Sequence, residues 1–189
     1  MLISKFRQED EDMQEKVSAL ESRYGIVLPE KYRHFMLRYN GGDTPDTRFR
    51  IKKESSDVRA FFGIGDLRYR FKDEMEIEDW IRKNLLPIAC DTFGNYIAVG
   101  LGILTEGKIY FCDHENGFKA KELAGDLEEF VKCCKSRKIP EECSTPVEER
   151  ERQLIERGHG DNISDGLRKM WQDEIDLYGN MKQEKVVID

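Results

Sequence analysis

The chain has 189 residues, of which 37 % are charged and 39 % hydrophobic, with a formal net charge of −7 at pH 7. No apolar run approaches the roughly 20 residues that span a bilayer, and an acidic balance disfavours nucleic acid and anionic membranes, which need clustered Lys and Arg. Length and a 10 % aromatic content suit one domain with its own core plus an extension, and exclude a disordered chain.

The opening MLISKFRQEDEDMQEK lacks the apolar stretch of a secretory signal, so a cytoplasmic location is expected. Met13, Val17, Leu20 and Tyr24 recur at helical spacing and predict an amphipathic helix. The acidic residues from Glu9 to Asp12 fall at its positive end, and Gly25 suits the left-handed residue that closes it. Pro29 fits the start of a second helix, because its missing N–H costs nothing there. Tyr32, Phe35, Met36 and Tyr39 share one face of that helix and read as core before a binding groove, and Gly41 and Gly42 are expected to end it.

From Arg48 to Cys112 the pattern changes to short apolar runs. Phe49–Ile51 and Val58–Gly65 read as strands, and Ile77, Trp80 and Ile81 mark a short helix closed before Pro87. LLPIACD and NYIAVGLG flank a turn containing Gly94 and predict a hairpin, with GKIYFCD as a third antiparallel strand and FKAKEL as a fourth. Leu123, Leu127, Phe130, Val131 and Cys134 then suggest a helix. A polar stretch with Pro140 and Pro146 leads to a helix bearing Val147, Leu154 and Ile155. RGHGDN breaks it before a stripe of Leu167, Met170, Trp171, Ile175 and Tyr178. The expected fold is α+β: a central, mainly antiparallel sheet with N-terminal and C-terminal helices packed around it. Residues 1–138 form the domain, and 139–189 a helical extension packed on it.

The five cysteines, Cys90, Cys112, Cys133, Cys134 and Cys143, show no paired spacing, so reduced thiols are expected and no metal or cofactor site. No Ser/His/Asp order or nucleophile elbow is present. Asn40-Gly41-Gly42 lacks the Gly-Lys-Ser/Thr of a phosphate loop. His34 reads as solvated and His159 as a loop residue. Asp91, Asn95, Asp113, His114 and Glu115 fall at strand ends or turns, where their side chains are expected to be exposed. Asp and Asn there are first of all turn formers; as a group the five are also candidates for partner contact, and for acid–base chemistry only if they converge. Trp171, with Asp173, Glu174 and Asp176 around it, either anchors the last helix or offers an aromatic centre with a carboxylate rim to a basic partner. No catalytic residue is assigned, and the chain is not read as an enzyme.

Two blocks in order, YGIVLPEKYRHFMLRYNGG and LLPIACDTFGNYIAVGL…GKIYFCDHE, resemble the SUKH superfamily, over roughly residues 10 to 135. That family includes a yeast regulator of cell-wall glucan synthesis and many bacterial immunity proteins. The resemblance implies a SUKH-like α+β scaffold without catalysis that neutralises a cognate toxin, often a nuclease, by direct binding. An intracellular regulatory scaffold of the cell-wall regulator type is the alternative it leaves open. The expected partner is a basic protein toxin, with no nucleic acid or membrane, and the resemblance supplies no active-site residue.

Overall fold

The computed structural model describes residues 1–8, 12–71 and 76–188. The chain forms two units, Met1–Arg137 with Glu184–Asp189, and Lys138–Gln183.

In the first unit, Asp12 caps helix α1 (Met13–Tyr24) by accepting a 3.0 Å hydrogen bond from the Glu15 amide. The rest of the acidic cluster, Glu9 to Glu11, lies outside the described residues. Met13, Val17 and Leu20 are buried, and Gly25 closes the helix at φ 62°. Helix α2 (Glu30–Tyr39) starts directly after Pro29 and buries Tyr32, Phe35, Met36 and Tyr39, so the aromatic stripe is core. Its stop differs from expectation. Asn40, in the left-handed region at φ 52°, ends the helix, whereas Gly41 and Gly42 lead into a strand. Asn is the residue that replaces Gly there most readily. The buried Asn40 amide also clamps Ile64, donating to its carbonyl at 3.0 Å and accepting from its N–H at 2.8 Å.

Eight strands, antiparallel between neighbours, form the main sheet: β1 (Leu2–Lys5), β2 (Gly42–Asp43), β5 (Ala60–Phe61), β6 (Leu85–Cys90), β7 (Tyr96–Gly100), β8 (Ile109–Asp113), β9 (Lys119–Ala124) and β11 (Glu184–Lys185). Their spatial order is β11-β1-β2-β5-β6-β7-β8-β9. A smaller sheet has the order β10-β3-β4, with β3 Thr47–Ile51, β4 Glu54–Asp57 and β10 Lys135–Ser136. Together with the helices these make an α+β architecture. Of the expected strand Val58–Gly65 only Ala60–Phe61 pairs in the main sheet, because Gly63 turns to exchange backbone bonds with Tyr69 and Phe71. Leu123 belongs to β9 and not to a helix: Gly125 breaks the strand and Asp126 caps α4 (Leu127–Cys133). Cys134 follows the helix as its closing residue, buried, with Cys133 exposed beside it.

The core lies between the main sheet and α1, α2 and α4. Phe35 meets Phe61 at 4.9 Å between ring centroids, and Phe49 of the small sheet meets Phe111 at 5.9 Å and Phe130 at 5.5 Å. A second cluster uses Trp80 of α3 (Ile77–Arg82), whose ring meets Tyr96 at 5.7 Å and Phe118 at 5.4 Å. None of the helices among the described residues is long and apolar enough to cross a membrane.

In the second unit, Pro146 precedes α5 (Val147–Glu156), and the Ser164 hydroxyl caps α6 (Asp165–Tyr178). The apolar face expected of α5 is thinner still, since Ile155 is exposed and the buried residue of that helix is Arg150. Its guanidinium donates to Glu174 Oε2 at 2.8 Å and to the carbonyls of Thr145 and Glu142. It also lies over the Trp171 ring, 5.9 Å from its centroid. A buried cation is tolerable when carboxylate, carbonyls and an aromatic face all answer it.

Candidate functional site

The turn between β6 and β7 runs Asp91-Thr92-Phe93-Gly94-Asn95, and Asp91 organises it. Its Oδ1 accepts from the amides of Phe93 at 2.9 Å and Asn95 at 2.8 Å. Its Oδ2 accepts from the Ser56 hydroxyl and from Asn95 Nδ2, both at 2.6 Å. Because Nδ2 is spent on Asp91, Asn95 Oδ1 faces the other way. It accepts from the His114 amide at 3.0 Å and sits 2.9 Å from His114 Nδ1, which therefore carries the ring hydrogen. Gly94 takes φ 91°, which the turn requires. On the far side Thr92 donates its amide and hydroxyl to Asp57.

Exposure of all five turn residues was the expectation, and the structure corrects it. Asp91 is 3 % and Asn95 8 % exposed, with their polar atoms committed to the turn. Asp113 is half-buried; His114 and Glu115 are exposed. Asp113 caps the short 3-10 turn His114–Asn116, accepting from the Glu115 amide at 3.0 Å and from Asn116 Nδ2 at 2.8 Å. The Asn116 amide, more than any other group, holds its carboxyl below the usual carboxylate range. The line Ser56–Asp91–Asn95–His114 thus joins strand β4 to the end of β8, and its two middle members are buried. At that tip Phe93 is 68 % exposed on a rigid backbone.

Trp171, Asp173 and Asp176 belong to the second unit. Trp171 is half-buried against Arg150, Asp173 is exposed, and Asp176 is exposed and accepts from Gln172 Nε2 at 2.7 Å. Residues 138–183 hold eleven acidic and seven basic residues, a net of −4.

One surface escaped sequence reasoning. On the small sheet Phe49 points inward, so Arg48 and Arg50 share the outer face. The register sets Lys135 and Asp57 on either side of Arg48, and Ser55 beside Arg50. A concavity of about 600 Å³ lies there, lined among others by Arg48, Arg50, Cys133, Lys135 and Arg137. A second, of about 460 Å³, shares Asp46, Arg48 and Phe49 with it and continues past Ser55 and Asp57 to Thr92 and Phe93. Asp46 lies 3.9 Å from Arg48 and 3.7 Å from Arg137. The signal was the alternation in TRFRI, but the contribution of Lys135 and Arg137 depends on a pairing some 87 residues distant in sequence.

The thiols divide sharply. Burial pushes Cys90 up to about 11 and Cys112 and Cys134 to about 12, whereas Cys133 is exposed. Among the described residues no three His, Cys, Asp or Glu side chains converge as a metal-holding group.

Comparison with known proteins adds two findings. A family model described as the SMI1 / KNR4 family (SUKH-1) matches residues 13–133, from the first residue of α1 to the last of α4. The chain is also similar to the SPbeta prophage-derived uncharacterized protein YokK of Bacillus subtilis (strain 168), with 26 % identity over 140 residues, covering 62 % of this chain and 71 % of that protein.

Proposed function

The chain belongs to the SMI1 / KNR4 (SUKH-1) family, and from that premise we propose that it is a non-enzymatic immunity protein, which neutralises a cognate toxin by binding it directly. The family match over residues 13–133 carries this reading, since membership supports an immunity or regulator-type role. The use of the strand-end cluster agrees with it: Asp91 and Asn95 spend their polar atoms on holding a turn, which makes a rigid surface and not a reactive one. The prophage origin in the relative's name suits a gene of conflict between cells or phages.

The toxin is a basic protein, a nuclease by preference. Nuclease surfaces carry Lys and Arg to hold phosphates, so an acidic binder is steered to them and competes with nucleic acid. The exposed carboxylates of Asp173 and Asp176, Trp171 on the same helix, and Glu115 beside His114 are the candidate contacts.

The test is titration of the purified protein into the toxin encoded beside its gene. Toxin activity should fall linearly to zero at one equivalent, and the association rate should drop at least about tenfold between low and high salt, as steered encounters do. Full protection with no salt dependence would remove the electrostatic part. Absence of binding to any adjacent toxin, with an endogenous protein bound instead, would move the assignment to the regulatory side of the family.

A further inference from the structure

We propose that the outer face of the β10-β3-β4 sheet is a docking groove for an acidic, extended segment of a partner polypeptide, anchored beside Phe93. This does not rest on the toxin reading, and its charge is opposite to that of the contacts named there.

Four cations, Arg48, Arg50, Lys135 and Arg137, line one concavity in a chain whose net charge is −7. The side chains of Arg48 and Arg137 are 79 % and 86 % exposed, and both lie at the edge of ion-pairing distance from the same Asp46. Arg48, Arg50 and Lys135 alone outnumber the Asp46 carboxylate that Arg48 approaches, which leaves net positive charge. Among the described residues no ion pair is made by Arg50 or Lys135, both exposed. Cations gathered at this density repel one another and are stabilised by an incoming anion.

Geometry selects the form of that anion. Arg48 and Arg50 are two residues apart on one strand face, a spacing of roughly 6.6 Å. A second extended chain with acidic residues at alternate positions presents carboxylates at the same interval, and guanidinium forks receive carboxylates in pairs. Asp46 and Asp57 interrupt the cationic surface, which disfavours an unbroken polyanion such as nucleic acid. The second concavity extends the groove to Phe93, an aromatic ring held out by a turn whose backbone bonds to Asp91 leave it little freedom. A fixed, exposed aromatic loses little conformational entropy on contact and suits an apolar residue interleaved with the acidic ones.

A fluorescein-labelled decapeptide of alternating Glu and Leu is the probe, with anisotropy as the readout. A double variant, Arg50→Glu with Lys135→Glu, should weaken binding at least about tenfold, because two attractive charges become repulsive. Phe93→Ala should weaken it by roughly threefold or more. Exposure of all three positions keeps the variants folded, which thermal melting checks. Bound peptide should also slow alkylation of Cys133, which lines the groove, by severalfold in the wild type and not in the double variant. The proposal is overturned if the wild type does not bind the peptide, if the variants bind it unchanged, if Cys133 is not protected, or if a thymidine oligonucleotide of equal charge binds more tightly.

Discussion

Replacing Asp91 by alanine should destabilise the first unit far more than an ordinary turn substitution. The carboxylate accepts four hydrogen bonds within a site only 3 % exposed. The Phe93 amide and the Ser56 hydroxyl lie near solvent and can recover water. The Asn95 amide and Nδ2 cannot, because that residue is itself buried. Each buried donor left without an acceptor costs about 1–3 kcal/mol, so two of them imply about 3 kcal/mol. In a chain of this size that lowers the melting temperature by about 6–12 °C. Asp91→Asn keeps the shape but sets an NH2 against donors, and should cost about half as much. Urea unfolding followed by Trp80 fluorescence in a Trp171→Phe background reports the first unit alone, because the second tryptophan lies in the other. An alanine variant within about 0.5 kcal/mol of its parent, at unchanged denaturant slope, would refute the claim that this carboxylate holds the turn.

The Tyr32 hydroxyl is buried with no hydrogen-bond partner among the described residues, so Tyr32→Phe should raise stability by about 1 kcal/mol in the same urea assay. Gly41 has φ 73°, and a Cβ there would lie 2.6 Å from the Phe61 carbonyl oxygen; Gly41→Ala should cost more than about 2 kcal/mol or yield insoluble protein. Alkylation near pH 8 followed by peptide mass mapping should modify Cys133 first, since burial keeps Cys90, Cys112 and Cys134 protonated. Lys31 reaches Asp126 and Glu128, each at 2.8 Å; its hydrogen bond holds the Asp126 carboxyl low, and the hydrogen bonds of Lys132 first and Lys31 second do the same for Glu128. Groups with lowered folded values stabilise above the unfolded carboxylate range, near pH 4, and lose that contribution as pH falls through the folded value. Lys31→Met should therefore flatten the acid limb of a stability–pH curve, and an unchanged limb would count against the pairing.

What was legible in the sequence was local. α1, α2 and the β6–β7 hairpin with β8 carry dense apolar periodicity and their own turn residues within a few positions. β1, β2, β10 and β11 are two to four residues long and exist only through distant pairing; Leu2 opposite Lys185 is an example. The turn chemistry of Asp91 could be read from Asp-x-x-x-Asn, but its burial could not. Burial comes from Ser56 on one side and His114 on the other, each brought in by register. The cationic groove was hidden for a related reason, since a net charge averages over faces that only folding separates. Arg150 was hidden by chemistry, because a search for apolar stripes passes over a unit whose helices close on a guanidinium.

The ends of the first unit meet at one residue. The Leu2 amide donates to Ser136 Oγ at 2.9 Å, and Leu2 pairs with Lys185 across the sheet edge. Val187, just beyond, is tied to the Tyr39 hydroxyl of α2 at 2.9 Å. The chain thus leaves this body after Arg137 and re-enters it at Glu184 through the same doorway. Residues 138–183 are in that sense a cassette: a graft of another sequence between these gateposts, or a short splice across them, should leave every strand pairing of the larger body intact.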